Sequence, residues 1–250
     1  MVIKIVKGGL MQQSYERMLS VIKASFPEQH INSLKILEIG CGNAGFVAYA
    51  RSIGCQVYGA DIEFKPGKSL NALLESGYVK KILPTGSGRL DISLSQAEYA
   101  WPFLDEEFDV VISKATLEHV ENLHQFSVEN SRVLRSGGMA IHYFPSRTAL
   151  IEPHIYLPMA GIYYQNHIVI KILKFFLGKK LIEPKFEYMK KFCFYRRDFD
   201  LVRAFKKNNL IFKHYAESSL FPKIAKNTLT GLMWILFRFF RSKVMIFVKG

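Results

Sequence analysis

Cysteine is scarce in this sequence of 250 residues, which contains only Cys41, Cys55 and Cys193. The three form no CxxC pair and no Cys/His spacing typical of a zinc site, and their odd number disfavours a disulfide framework. We therefore expect a cytoplasmic protein of a reducing compartment rather than a disulfide-built extracellular one.

Long apolar runs are also lacking. The most apolar stretch, residues 229–237, is followed directly by Arg238 and falls well short of the ~20 residues that cross a bilayer. Residues 1–10 alternate apolar and basic side chains and lack the apolar core of a signal peptide. We expect neither a membrane-spanning helix nor a signal peptide.

Acidic residues are outnumbered, with 21 Asp and Glu against 34 Lys and Arg and a formal net charge of +13. Such a surface attracts anions, but nucleic acid, anionic lipid, acidic substrates and counterions all satisfy this charge. The basic residues are spread over many segments and no nucleic-acid-binding module is recognisable, so nucleic acid is the least favoured partner.

Apolar side chains are plentiful, at 49% hydrophobic and 14% aromatic residues, which is enough for a substantial core. There is no internal repeat and no low-complexity linker. We expect a single domain over residues 1–250, with a helical lead-in over 1–30 and an insertion over 145–194.

Strand-like and helix-like apolar patterns alternate along the chain, which predicts an α/β fold with a doubly wound, mostly parallel sheet. Residues 77–89, with their Gly86-Ser87-Gly88 element, predict an exposed connection. The segment 145–194, rich in proline and aromatic residues, breaks the alternation and is interpreted as an insertion that covers the site. Predicted strands cover 34–39, 56–60, 90–94, 108–113, 139–144, 210–215 and 244–248, and predicted helices cover 13–26, 45–53, 66–76, 123–134, 167–177, 198–207 and 224–240.

A glycine-rich turn lies between the first predicted strand and the following helix. Its sequence, Glu38-Ile39-Gly40-Cys41-Gly42-Asn43-Ala44-Gly45, has the GxGxxG spacing that lets backbone approach a ligand closely. Asp61 ends the next strand sixteen residues after the last glycine, where its carboxylate can accept hydrogen bonds from ribose hydroxyls. Together they predict a nucleoside ligand, although a ligand-free tight turn, a solvated Asp61 and a merely structural Glu38 remain alternatives.

Four ordered motifs resemble class I, Rossmann-like S-adenosylmethionine-dependent methyltransferases of the type 11 kind. The glycine turn preceded by Glu38 resembles their first motif, and three later stretches match in order: Trp101 to Asp109 (WPFLDEEFD), Thr116 to Val120 (TLEHV) and Arg132 to Gly138 (RVLRSGG). The resemblance implies a seven-stranded, mostly parallel sheet with an antiparallel last strand. It also implies S-adenosyl-L-methionine as cofactor, with S-adenosyl-L-homocysteine as product.

The resemblance implies a set of cofactor-binding residues. Glu38 would lie near the methionine amino group or the turn, and Gln96 or Glu98 would reach the adenine edge. Ser113 and Lys114 end the fourth strand and should lie beside the methionine part, because ligands bind outside the carboxyl ends of sheet strands. The expected set is Glu38, Gly40, Cys41, Gly42, Asn43, Gly45, Asp61, Ile62, Gln96 and Ser113.

His119 is a candidate general base because it follows the fourth strand at the mouth of the expected site, although a structural histidine at a helix start fits equally well. Ubiquinone-pathway O-methyltransferases hold a divalent cation with an E-x-x-E-H group, and Glu118-His119 resemble its second half. Ala115 stands at the first Glu position. We therefore predict no metal.

A second catalytic candidate lies in the insertion. Phe144-Pro145-Ser146-Arg147 and the later Ile151-Glu152-Pro153-His154-Ile155 resemble an FPSR…EPHI element of a methyltransferase subgroup often associated with bacterial surface-glycan assembly. On a lid loop, Glu152 and His154 could polarise an acceptor hydroxyl, and a proline-bounded loop staple is the alternative.

Aromatic and basic residues later in the chain could contact an anionic membrane or a lipid-linked acceptor, and packing on the sheet or in a dimer explains the apolar ones equally. They are Phe175, Phe176, Lys179 and Lys180, and then Phe237, Arg238, Phe239, Phe240 and Arg241.

The leading hypothesis is methyl transfer from S-adenosylmethionine to an oxygen or nitrogen of a small molecule or of a glycan or lipid-linked intermediate. A non-catalytic Rossmann-like binding or scaffold protein is the alternative. An NAD-dependent enzyme ranks third, because no dehydrogenase catalytic set is recognisable.

Overall fold

The computed structural model describes residues 2–85, 99–215 and 242–250 and is organised around a seven-stranded sheet. Its strand order is β3-β2-β1-β6-β7-β9-β8, and β9 alone runs antiparallel to both of its neighbours. The strands are β1 (Lys35–Ile39), β2 (Gln56–Asp61), β3 (Val79–Lys81), β6 (Phe108–Lys114), β7 (Leu134–Pro145), β8 (Leu210–Tyr215) and β9 (Ser242–Lys249); β4 (Leu83–Pro84) and β5 (Tyr99–Ala100) form a separate antiparallel pair. The expected fold class is confirmed.

Eight described helices flank the sheet or form the insertion. They are α1 (Val2–Ser25), α2 (Gly45–Ser52), α3 (Leu70–Glu75), α4 (Leu123–Val133), α5 (Ala160–Tyr163), α6 (His167–Leu177), α7 (Lys179–Phe192) and α8 (Asp198–Lys206). The predicted strand 90–94, the predicted helix 224–240 and the residues Gln96 and Glu98 lie outside the described residues.

The third strand of the sheet differs from the sequence expectation. Strand β3 lies inside the stretch 77–89 that was expected to be an exposed connection, and it pairs in parallel with β2 through Gly59 and Val79. A strand of three residues is too short to show the period-two alternation on which strand prediction depends.

The sheet separates two apolar layers, and β1 shows how. Ile36 packs into the layer of α1 and α2, whereas its neighbour Leu37 faces the layer of α4 and α8, because successive strand residues point to opposite faces. Both residues are fully buried, and burial of each such side chain stabilises the fold by roughly 1.5–3 kcal/mol. This two-sided burial holds the carboxyl ends of the central strands in place.

Arg132, in the RVLRSGG motif, fixes the chain that leads into β6. Its guanidinium donates to the carbonyl oxygens of Trp101 (2.9 Å) and Phe103 (2.8 Å) and pairs with Glu129 and Asp105 at 2.7 Å each. The Glu129 carboxylate also accepts the Trp101 N–H at 2.6 Å. Two of the family-like motifs are therefore joined by a structural ion-pair network.

The insertion has a small core of its own, built around Ile170, Ile182, Phe186 and Met189. Helix α6 has the predicted bounds, but α5 and α7 were not predicted. Pro184 lies inside α7, where its missing N–H ordinarily argues against a helix. Packing of α7 against α6 outweighs this local cost.

Candidate active site

A cleft of about 330 Å³ opens at the carboxyl ends of the central strands. Gly40 follows β1, Asp61 ends β2, and Lys114 ends β6, and all three line the cleft. This is the edge at which open parallel sheets bind ligands. The predicted residues Gly42, Ile62 and His119 line it as well.

The glycine turn forms the floor of the cleft in backbone conformations that favour glycine. Gly40 has a φ of 75° and Gly42 a φ of 54°. A Cβ atom on Gly40 would overlap the side chain of Thr116, whereas a Cβ on Gly42 would enter open space. Gly40 is therefore needed for close packing, and Gly42 leaves backbone accessible to a ligand.

Asp61 is tied to this turn. Its Oδ2 accepts the Gly42 N–H at 2.7 Å, and its Oδ1 accepts the Glu63 N–H at 3.2 Å. Burial raises the pKa of Asp61 despite these hydrogen bonds and the nearby charge of Lys65. The carboxylate is thus oriented into the cleft edge with acceptor capacity left for hydroxyl donors.

Glu38 carries a buried carboxyl group next to the glycine turn. Its side chain is buried, and its Oε2 has no hydrogen-bond partner among the described residues. Burial, reinforced by the charge of Asp61 and opposed by that of Lys114, raises the pKa of Glu38 to about 8. A buried carboxyl without a partner beside a glycine turn fits a ligand that brings a cationic amine or another donor, as the methionine part of S-adenosylmethionine does.

Five described residues of the predicted cofactor set are not among those that line the cleft, namely Glu38, Cys41, Asn43, Gly45 and Ser113. The Ser113 hydroxyl lies 2.8 Å from His142 Nδ1 in the core, because it points to the opposite face of the sheet. The Cys41 thiol is buried in the apolar layer. Asn43 Oδ1 accepts the Gly45 N–H at 3.1 Å, so this pair shapes the turn.

An apolar wall that sequence reasoning missed faces the glycine turn. It is formed by Ile82, Tyr99, Trp101, Val120 and Phe126. Such a wall suits a flat, weakly polar ring. The aromatic residues were visible in the sequence, but only the β4–β5 pair brings Ile82 and Tyr99 together.

His119 lines the cleft and contacts a second histidine behind it. His119 Nδ1 donates to the Phe192 carbonyl at 2.7 Å, and its Nε2 lies 3.2 Å from His154 Nε2. The two rings are nearly perpendicular, at 83°. The hydrogen bond to Phe192 fixes the tautomer of His119 and leaves its Nε2 as the proton-accepting atom.

Glu152 holds His154 from the other side. Its Oε1 accepts from His154 Nδ1 (2.5 Å) and from the Tyr195 hydroxyl (2.6 Å), and its Oε2 accepts the N–H groups of His154 and Ile155, both at 2.8 Å. Burial alone would raise the pKa of Glu152, but these donors and the charge of His154 outweigh it and lower the pKa. Glu152 is thus an anchored carboxylate.

This geometry corrects the expectation that Glu152 and His154 project from a lid over the cleft. Glu152 is only 1% exposed, and neither residue is among those that line the cleft. Both lie behind His119, because the backbone of the EPHI element folds tightly around the Glu152 carboxylate. Glu152 thus holds the loop, as the staple alternative expects, and the catalytic role of Glu152 and His154 stays a prediction.

The arrangement of His119 and His154 allows the two rings to share one proton. Burial lowers the pKa of His154, but the hydrogen bond and charge of Glu152 outweigh this and raise it overall. Burial lowers the pKa of His119. When each ring donates through Nδ1, the two Nε2 lone pairs face each other, so an incoming proton is held between them.

Cys193 lies next to this pair. Its Sγ and a ring nitrogen of each histidine all lie within 4.8 Å of one another, which is a donor set that zinc can use. Burial, together with the charges of Glu152 and Glu118, raises the pKa of the Cys193 thiol to about 12, which disfavours the thiolate form that binds metal. The absence of a metal stays a prediction. Tyr195 and Cys193 had no signal in the sequence.

Comparisons with known proteins agree with this fold and cleft. Residues 37–142 match a family model described as a methyltransferase domain. A curated ubiquinone biosynthesis O-methyltransferase of Maricaulis maris (strain MCS10) is 27% identical over 122 residues, which cover 49% of this chain and 44% of that protein. The chain thus aligns with less than half the length of this relative.

Solved structures share the fold over nearly the whole chain. An S-adenosylmethionine-dependent methyltransferase from Mesorhizobium loti superposes with a TM-score of 0.53 at 12% identity, covering 92% of this chain and 96% of that one. A putative sarcosine dimethylglycine methyltransferase from Galdieria sulphuraria gives 0.52 at 14% identity, covering 96% and 86%.

Fold, glycine turn and cleft are those of the Rossmann-like class whose members bind S-adenosyl-L-methionine. Within that class, residues 37–142 resemble the methyltransferase-domain family, and the chain has the fold of S-adenosylmethionine-dependent methyltransferases.

Proposed function

We propose that this chain transfers a methyl group from S-adenosylmethionine to an oxygen or nitrogen of a small molecule, or of a glycan or lipid-linked intermediate. One observation carries the proposal: a single cleft is lined by the glycine turn and Asp61 and also by His119. The donor-binding residues and a candidate base therefore border the same space. When bound, S-adenosylmethionine supplies a methyl group already activated on a sulfonium.

Asp61 would hold the ribose hydroxyls, and Glu38 would meet the amino group of the methionine part. The Gly42 φ of 54° leaves the turn open toward the ligand. These residues bind and orient, and methyl transfer depends mainly on holding the reacting atoms about 3–3.5 Å apart.

His119 would take the proton from the acceptor. The proton of an attacking hydroxyl or amine would be held between His119 Nε2 and His154 Nε2, which lie 3.2 Å apart, with the acceptor approaching beside the His119 ring at the edge of the cleft. Glu152 stabilises the charged pair through His154 Nδ1. His119 is the catalytic base in this account, and His154 and Glu152 are positioning residues that act through it.

Oxygen is the favoured nucleophile, since the curated relative is named an O-methyltransferase. We do not propose nucleic acid as the acceptor, because the basic residues are spread over many segments of the sequence. We propose a cytoplasmic site of action, because the three cysteines are all free and buried. None of the described helices is long and apolar enough to cross a membrane.

Methyl-labelled S-adenosylmethionine tests the proposal with the small-molecule and lipid fractions of a cell extract as acceptor. We expect wild-type protein to transfer label and His119→Ala to bind S-adenosylhomocysteine normally without transferring it. Binding without transfer by the wild type would instead identify a non-catalytic S-adenosylmethionine-binding protein.

A further inference from the structure

The outer face of helix α6 carries large apolar side chains that are exposed among the residues the structure describes. Ile168 is 72% exposed, Ile172 50%, Phe175 83% and Phe176 75%. Their spacing of i, i+4, i+7 and i+8 places them on one side of the helix. Two further apolar side chains, Leu177 at the end of α6 and Leu181 in the first turn of α7, are exposed by 48% and 55%. We call these six side chains the apolar patch.

The inner face of the same helix is already occupied. Ile170 is buried, and Leu173 packs against the core of the insertion. Asn166 caps the helix by accepting the N–H groups of Ile168 (3.0 Å) and Val169 (3.2 Å), and Gly178 ends it with a φ of 90°. The helix is thus well defined, and its outward apolar residues do not arise from a poorly formed segment.

The patch is concentrated in one part of the molecule. Among the described residues, seventeen large apolar side chains are exposed, and ten of them lie between Leu150 and Leu181. Single exposed apolar residues need no explanation, but a contiguous group marks a surface that contacts something apolar.

The charged side chains around the apolar patch indicate which kind of surface the patch contacts. Residues 166–182 contain four lysines, Lys171, Lys174, Lys179 and Lys180, and no acidic residue. Glu183 pairs with Lys174 at 2.7 Å and lies 3.7 Å from Lys179. Lys171 and Lys180 are exposed beside the apolar side chains. Apolar side chains rimmed by lysine match the acyl boundary and head groups of an anionic bilayer.

We propose that α6 and the first turn of α7 dock this protein on an anionic lipid bilayer, with the apolar patch in the interface and the lysines on the head groups. A second copy of the chain fits less well, because a symmetric contact would bring together two copies of a surface that carries lysines and, over residues 166–182, no acidic residue. Docking does not depend on methyl transfer and can be tested without it.

The patch also lies close to the cleft. Tyr188 lines the cleft and follows Leu181 by seven residues on α7, a rise of about 10 Å along the helix. If the proposed function is correct, docking would bring the cleft near a lipid-linked acceptor.

Vesicle flotation tests the docking. Wild-type protein should float with vesicles of phosphatidylcholine mixed with phosphatidylglycerol and much less with phosphatidylcholine alone. The double variant F175S/F176S should lower the bound-to-free ratio at least about tenfold, because the large apolar side chains leave the interface. The double variant K171Q/K180Q should lower it by a similar factor, because each lysine near an anionic surface contributes to binding.

A matched control is F199S, which removes an aromatic side chain that is 69% exposed on α8, outside the patch. It should bind vesicles as the wild type does, and thermal melting and S-adenosylhomocysteine binding should be unchanged in all variants. Failure of wild type to float, equal flotation with neutral vesicles, or unchanged flotation of F175S/F176S would overturn the proposal. So would a concentration-dependent dimer in sedimentation velocity that F175S/F176S abolishes, because a second copy would then cover the patch.

Discussion

The sheet and the insertion differ in how they build their parts of the site. Strands β1, β2 and β6 end at one edge, so backbone geometry alone brings the glycine turn, Asp61 and Lys114 together. The insertion has no such template and relies on side chains, with Glu152 collecting four hydrogen bonds to hold His154 against His119. The comparison indicates that cofactor binding and proton transfer can be separated by mutation.

The largest expected effect is the loss of cofactor affinity when a residue at the carboxyl edge of the sheet is replaced. Asp61→Ala should weaken S-adenosylhomocysteine binding about a hundredfold, because two charge-assisted hydrogen bonds to the ribose are lost. Titration calorimetry measures the affinity. Glu75→Ala, an exposed carboxylate at the end of α3, is the matched control. Equal affinities in the two variants would remove Asp61 from the cofactor site.

Loss of the proposed base, His119, should have the second largest effect. His119→Ala should lower methyl transfer by about 10²–10⁴-fold, the range typical of general base catalysis, with cofactor affinity nearly unchanged. Single-turnover transfer of labelled methyl measures the rate. His124→Ala, a histidine on α4 that is not among the cleft residues, should transfer normally. A His119→Ala variant with full activity would leave that residue a structural one.

A smaller effect on methyl transfer is expected from a substitution of His154, which lies behind His119. His154→Ala should lower turnover less than His119→Ala while leaving cofactor affinity nearly unchanged, because His154 acts through His119. Turnover equal to that of wild type would return His154 to the role of a loop staple.

The pH profile separates positioning from packing. Glu152 raises the pKa of His154, and the unprotonated pair is the base, so transfer should rise as pH increases through that raised pKa. Glu152→Gln removes the charge and should shift the acidic limb to lower pH. Tyr195→Phe keeps the carboxylate and should shift it less. An acidic limb at the same pH in Glu152→Gln would show that Glu152 only holds the loop.

The smallest expected effect concerns metal. The raised pKa of Cys193 disfavours a thiolate ligand, so chelator treatment should leave transfer unchanged, and elemental analysis of purified protein should find no stoichiometric zinc. If the wild type contains stoichiometric zinc and His154→Ala does not, the two histidines bind a cation instead of sharing a proton.

Sequence patterns were most informative where local rules decide the structure. The strands around the glycine turn, helix α6 and the antiparallel last strand follow from periodicity and family-like motifs. Strand β3 was too short to show a pattern, and α7 was hidden by Pro184. Ser113 was assigned to the cleft from its strand position, but alternation turned its side chain to the other face.

The proposed catalytic cluster was predictable only in part. His119, Glu152 and His154 were each singled out from the sequence, but the contact of His119 with His154 was not, because it joins residues 35 positions apart. Tyr195, which directly follows the insertion, reaches Glu152 across 43 residues of sequence, a contact that no local pattern encodes.

Calorimetric titration of wild type and His119→Ala with S-adenosylhomocysteine tests the central claim most directly. The account predicts one saturable site in both proteins with nearly equal affinity, because the sheet edge binds the cofactor independently of the histidine pair. Absence of binding to the wild type at millimolar ligand would contradict it.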